Sequence, residues 1–93
     1  MIVRIVKLSF TESFVSEFES QFPSIKNIVE GIEGCNSVIL LKGQDHTYFT
    51  YSLWNSEADL EAYRNSITFQ NIWAIFKPHF VAPAQAWTTV QIG

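Results

Sequence analysis

Cys35-Asn36-Ser37-Val38-Ile39-Leu40-Leu41-Lys42-Gly43-Gln44-Asp45-His46-Thr47-Tyr48-Phe49-Thr50-Tyr51-Ser52-Leu53-Trp54 reads as two strands joined by a tight turn. Gly43 to His46 is too short a connection for a parallel crossover, so the strands are expected to form an antiparallel hairpin. Val38 to Leu41 are apolar without alternation, which makes both faces of the earlier strand apolar. Strand parity puts Tyr48, Thr50, Ser52 and Trp54 on one face of the later strand and Phe49, Tyr51 and Leu53 on the other.

Outward from the hairpin, the preceding segment carries Phe14, Phe18, Phe22, Ile25, Val29 and Ile32 at steps of three and four, one stripe of an amphipathic helix. Thr11 is its expected N-cap, with Glu12 in the first turn and Gly31 and Gly34 ending it. Pro23 lies inside and predicts a kink. Before that helix, Ile2 to Phe10 is a β-branched, apolar strand whose two parities are again both apolar. After the hairpin, Ser56 and Asp59 approximate a capping box. The helix they open is expected to break and restart near Ser66. Pro78 stops it at Phe76 or Lys77, and Ala86 to Ile92 is the last strand. The order βαββαβ over residues 1–93, read as one domain, predicts an α+β ferredoxin-like fold: a four-stranded antiparallel sheet with its helices on one face.

That arrangement leaves the second face bare, carrying a subset of Val3, Ile5, Ile39, Leu41, Phe49, Tyr51 and Leu53. A chain of 93 residues buries only about 60–65% of its unfolded surface, yet 47% of its residues are hydrophobic and only 16% charged. The excess apolar material predicts a homodimer in which two sheets face each other as an α+β barrel. The net charge of −3 and the scattered basic residues argue against nucleic acid. An RNA-binding domain shares the βαββαβ order, but it needs a basic start before its exposed aromatics, where this chain has Asp45-His46-Thr47. The longest strictly apolar run, Ile72 to Phe76, is too short for a membrane span. A single cysteine, Cys35, forbids an intrachain disulfide, and with no signal-peptide pattern at the amino terminus a cytoplasmic setting is expected.

Ile2 to Lys7, Gly34-Cys35, Phe49 to Glu57 and Leu60-Glu61-Ala62-Tyr63 resemble the antibiotic biosynthesis monooxygenase family across essentially the whole chain. The most specific piece is the strand ending in Trp54-Asn55-Ser56-Glu57, followed by the Leu60 to Tyr63 pattern. The resemblance implies a dimeric α+β barrel of ferredoxin-like subunits. It also implies a cofactor-free monooxygenase acting on a small aromatic substrate of quinol, phenol or anthrone type. In that chemistry the bound substrate loses a proton and its anion reacts with dioxygen, so the protein need only orient the substrate and stabilise an oxyanion. The family's oxygenases use an Asn on the third strand and a Trp four residues later. Here these positions are Thr50 and Trp54, so the indole remains but the amide is gone. The haem-degrading branch places Asn, Trp and His where this chain has Lys7, Tyr63 and Trp73, which argues against haem.

The residues assigned to catalysis are therefore Trp54, Tyr63 and His79, the last as a general base if it turns into the pocket. Tyr48, Thr50, Ser52, Trp73 and Phe76 are assigned to substrate binding, with the small side chains at 50 and 52 leaving a hollow beneath the helices. The plain alternative for each aromatic is ordinary core packing. No second ligand stands near His46 or His79 at metal spacing, so no metal and no other cofactor is expected. Cys35 reads as a small buried residue rather than a nucleophile. A non-catalytic dimeric ligand-binding or accessory domain of the same fold is the second reading, and the loss of the amide at position 50 favours it.

Overall fold

A computed structural model describes residues 1–93. The strands are β1 (Ile2–Ser9), β2 (Cys35–Lys42), β3 (Thr47–Trp54) and β4 (Gln85–Val90), and the helices are α1 (Val15–Glu30), α2 (Glu57–Arg64) and α3 (Ile67–Phe76). Single 3-10 turns precede α1 and follow α3. The sheet is antiparallel throughout in the order β2-β3-β1-β4. This is the ferredoxin-like α+β fold. The last strand is shifted slightly toward the amino terminus from the expected range.

Helix ends follow side-chain chemistry at two of three starts. Ser56 accepts from the Asp59 N–H at 3.2 Å, and Ser66 accepts from the Phe69 N–H at 3.2 Å. Ser66 also donates to the Tyr63 carbonyl at 2.6 Å, so one hydroxyl closes α2 and opens α3. Thr11 differs from expectation: its side chain makes no capping bond, because the chain enters a 3-10 turn first and α1 starts only at Val15. α1 runs unbroken past Pro23, whose ring is exposed. Gly34 has φ +88°, and a Cβ there would lie 2.4 Å from the Asp59 side chain. Only glycine lets the α1–β2 turn pass this close to α2.

Register fixes the two faces of the sheet. The rows Ser37–Leu53–Val3–Thr89, Ile39–Tyr51–Ile5–Trp87 and Leu41–Phe49–Lys7–Gln85 share one face. No helix covers it, and Ile39, Leu41 and Trp87 are each about 45% exposed. The opposite rows bring Val38, Ser52, Arg4 and Thr88 together, and Leu40, Thr50, Val6 and Ala86. Along β2, β3 and β1 this face packs on the helices, whereas β4 stays exposed. The core has two ends. At one, Phe10 touches the rings of Phe14, Phe18, Tyr48, Phe76 and Phe80 at centroid distances of 4.6 to 6.1 Å. At the other, Trp54 at the end of β3 and Leu60 of α2 are both buried.

The edge strand β2 is guarded by α1. Glu30 accepts from the Val38 N–H at 2.9 Å, and Lys26 donates to the Val38 carbonyl while pairing with Glu30 at 2.8 Å. One ion pair thus occupies backbone groups that an edge would otherwise offer to another chain.

Candidate functional site

Between the two ends of the core lies a cavity of about 90 Å³. Val6, Thr50 and Ser52 form its floor on the sheet, and Phe18, Phe22 and Ile25 of α1 form one wall. Tyr63 of α2 with Phe69, Trp73 and Phe76 of α3 form the other. The hollow exists because Thr50 and Ser52 are small where neighbouring inner-face positions hold Tyr48 and Trp54. Five of the residues assigned from sequence, Thr50, Ser52, Tyr63, Trp73 and Phe76, therefore converge on one space.

Three others stand elsewhere. Tyr48 is fully buried against Phe10 and Phe18, and its hydroxyl donates to Glu19, which Lys42 holds at 2.8 Å. It pins α1 to β3. His79 lies outside the cavity wall: its ring stacks flat on Phe14 with centroids 3.8 Å apart. The 3-10 turn after Phe76 carries it toward the start of α1, where its carbonyl accepts from the Thr11 N–H at 2.9 Å. Trp54 is fully buried and stacks under Tyr63 with centroids 5.2 Å apart. Its indole N–H donates to Ser52 Oγ at 2.9 Å, so the ring supports the cavity floor from behind and does not face the space. With Ser52 Oγ already accepting that proton, its own hydroxyl hydrogen is free to turn into the cavity.

The polar complement is small. Burial pushes the Tyr63 phenol up to about 12, so at neutral pH it is a hydrogen-bond donor and not an anion. Burial likewise raises the Cys35 thiol, which disfavours its thiolate form. No three His, Cys, Asp or Glu side chains converge anywhere to hold a metal ion. The two charged lining residues, Arg4 and Arg64, were not among those assigned from the sequence. Arg4 stands mid-strand on the inner face of β1, with Thr88 Oγ1 at 2.8 Å as its hydrogen-bond partner. Its signal was parity: it alternates with Ile2, Val6 and Leu8, all of which face inward.

A ferredoxin-like α+β domain with an aromatic-walled cavity between sheet and helices is the class these features define. Residues 1–75 match the family described as antibiotic biosynthesis monooxygenase, and the chain belongs to that family. Among solved structures, an antibiotic biosynthesis monooxygenase superposes with a TM-score of 0.87 at 10% identity, covering 100% of both chains. Rv0793 from Mycobacterium tuberculosis gives 0.86 at 15% identity, over 99% of this chain and 95% of that one. A conserved protein from Methanosarcina mazei gives 0.84 at 17%, over 96% and 91%. At these identities the likeness is one of fold. Among curated proteins none matches the sequence. No helix is long and apolar enough to cross a membrane.

Proposed function

We propose that this protein is a homodimeric, cofactor-independent monooxygenase of small aromatic substrates. The observation that supports it is the cavity itself: aromatic walls with isolated hydroxyls from Thr50, Ser52 and Tyr63. Such a space holds a planar ring by apolar contact and leaves few groups to fix its oxygen atoms. Ser52, oriented by Trp54, and the protonated Tyr63 supply donors to a substrate oxyanion, and the cationic Arg4 and Arg64 favour the ionised substrate. Trp54 is thus a positioning residue, not a direct donor to bound oxygen. For a methylene flanked by rings, dioxygen delivers one atom to the new carbonyl and one to water, so no external reductant is consumed.

One observation favours the second reading, a binding domain without turnover: no histidine or carboxylate lines the cavity to take a proton. Oxygen-electrode assays with a panel of quinols and anthrones separate the two. The oxygenase reading expects one dioxygen consumed per substrate, without nicotinamide or flavin, and loss of uptake in Ser52→Ala. Binding by calorimetry with no oxygen uptake across the panel would establish the binding domain instead.

A further inference from the structure

The cavity opens past Arg4, Phe69 and Trp73 into a shallow groove of about 410 Å³, because those three side chains line both spaces. The groove also takes Gln70, Ala74 and Lys77 from the α3 side and Ala84 and Ala86 from the β4 side. Inner cavity and outer groove together are lined by three cations, Arg4, Arg64 and Lys77, and by no carboxylate. This is an unusual concentration in a chain with six basic and nine acidic residues. Lys26 and Lys42 pair with Glu30 and Glu19 elsewhere on the molecule. Arg4 and Lys77 have no acidic partner within salt-bridge distance. Arg64 pairs with Glu61 at 2.7 Å through one terminal nitrogen, while its Nε is buried without an acceptor.

Holding Arg4 on the inner face of a central strand is unfavourable. A half-buried guanidinium loses hydration, and the Arg64 guanidinium on α2 opposes its charge, which Glu61 on the same helix offsets only in part. A bound anion would relieve both. Aromatic walls within and cations at the mouth fit a molecule with a ring at one end and a negative charge at the other. An apolar cavity of about 150 Å³ takes benzene, so a ring needs the inner space plus the neck at Trp73, which sets the charged end in the groove.

We infer that the ligand of this site is an aromatic carboxylate, with its ring against Trp73 and Phe69 and its carboxylate on Arg4, flanked by Arg64 and Lys77. The inference rests on the reading of the cavity as a ligand site and names the class of ligand. Guanidinium and carboxylate are matched in shape and charge, so the preference over a neutral isostere is large for a partly dry site.

The test is calorimetric titration of the whole protein with one- and two-ring aromatic carboxylates, each paired with its primary amide, at fixed low salt. Acids are expected to bind at least tenfold tighter than their amides. That preference should vanish in Arg4→Gln and shrink several-fold in Lys77→Gln and Arg64→Gln. Lys42→Gln, remote from the site, should retain it. The Lys77 and Arg64 variants carry the test if Arg4→Gln does not fold, and a preference unchanged in both would then overturn the inference. Acids and amides binding equally would also overturn it while leaving the cavity a ligand site. If no member of any pair binds, both the inference and the reading it rests on fail.

Discussion

Trp54 shows how one side chain can be read two ways. The family resemblance and its place at the end of β3, beyond the small Thr50 and Ser52, suggested a ring facing the substrate, whereas the ring is enclosed and its N–H is spent on Ser52. Trp54→Phe keeps most of the volume and leaves Ser52 Oγ without its donor, which should cost about 1–3 kcal/mol. Phe18→Ala, which empties a fully buried site in the aromatic cluster, should cost about 3–5 kcal/mol. Chemical denaturation measures both. If Trp54 acts only through Ser52, activity losses in Trp54→Phe and Ser52→Ala will not add in the double variant; additive losses would show an independent role. Gly34→Ala should cost about 2–4 kcal/mol, from an L-residue at positive φ together with the collision at Asp59.

At the scale of elements, α1 is fastened to the sheet by two carboxylates with opposite neighbours. Lys42 and the Tyr48 hydroxyl hold Glu19 below the usual carboxylate range; Lys26 and the Val38 N–H do the same for Glu30. Both attachments need the charged form, so their stabilisation is present above the unfolded carboxylate pKa and is lost as pH falls through the lowered folded values. Acid titration of thermal stability should show Glu30→Gln flattening that loss. The same variant weakens the guard on β2 and should scatter more light on heating. Alkali acts through tyrosine with the opposite sense. Burial raises Tyr48 and Tyr63 from 10.0 to about 12, so the fold favours the protonated phenols. Their contribution is complete below pH 10 and declines as pH rises toward 12. Tyrosinate absorbance at alkaline pH should therefore lag in native protein and rise sharply on unfolding.

For the whole molecule, the uncovered face of the sheet is the dominant feature. Val3, Ile5, Ile39, Leu41, Phe49, Tyr51, Leu53 and Trp87 form a continuous apolar surface across all four strands. β4 is exposed along its entire length, with Val90 60% exposed. A solvated monomer rarely leaves such a patch open. We expect a homodimer at micromolar concentration by light scattering, and a shift to monomer in Tyr51→Glu, where the charge sits mid-row between Ile39 and Ile5. A wild-type monomer mass at that concentration would refute the facing-sheet assembly.

Periodicity and punctuation determined the fold. Two parities of apolar residues mark a strand, steps of three and four mark a helix, and Ser56, Ser66, Pro78 and the Gly43 turn set most boundaries, because these are local consequences of backbone geometry. Strand parity also identified the hollow at Thr50 and Ser52, since alternation needs no tertiary information. What the sequence did not contain was which side chain closes on which. The Asn36 irregularity in the β2–β3 register, the flat contact of His79 on Phe14 and the turning of Trp54 toward Ser52 all depend on elements far apart in the chain. Arg4 shows the same limit: alternation put it on the inner face, but only the packing of α2 and α3 over β1 joined it to Arg64 and Lys77. Charge concentrates where distant elements meet, and that meeting is decided in three dimensions.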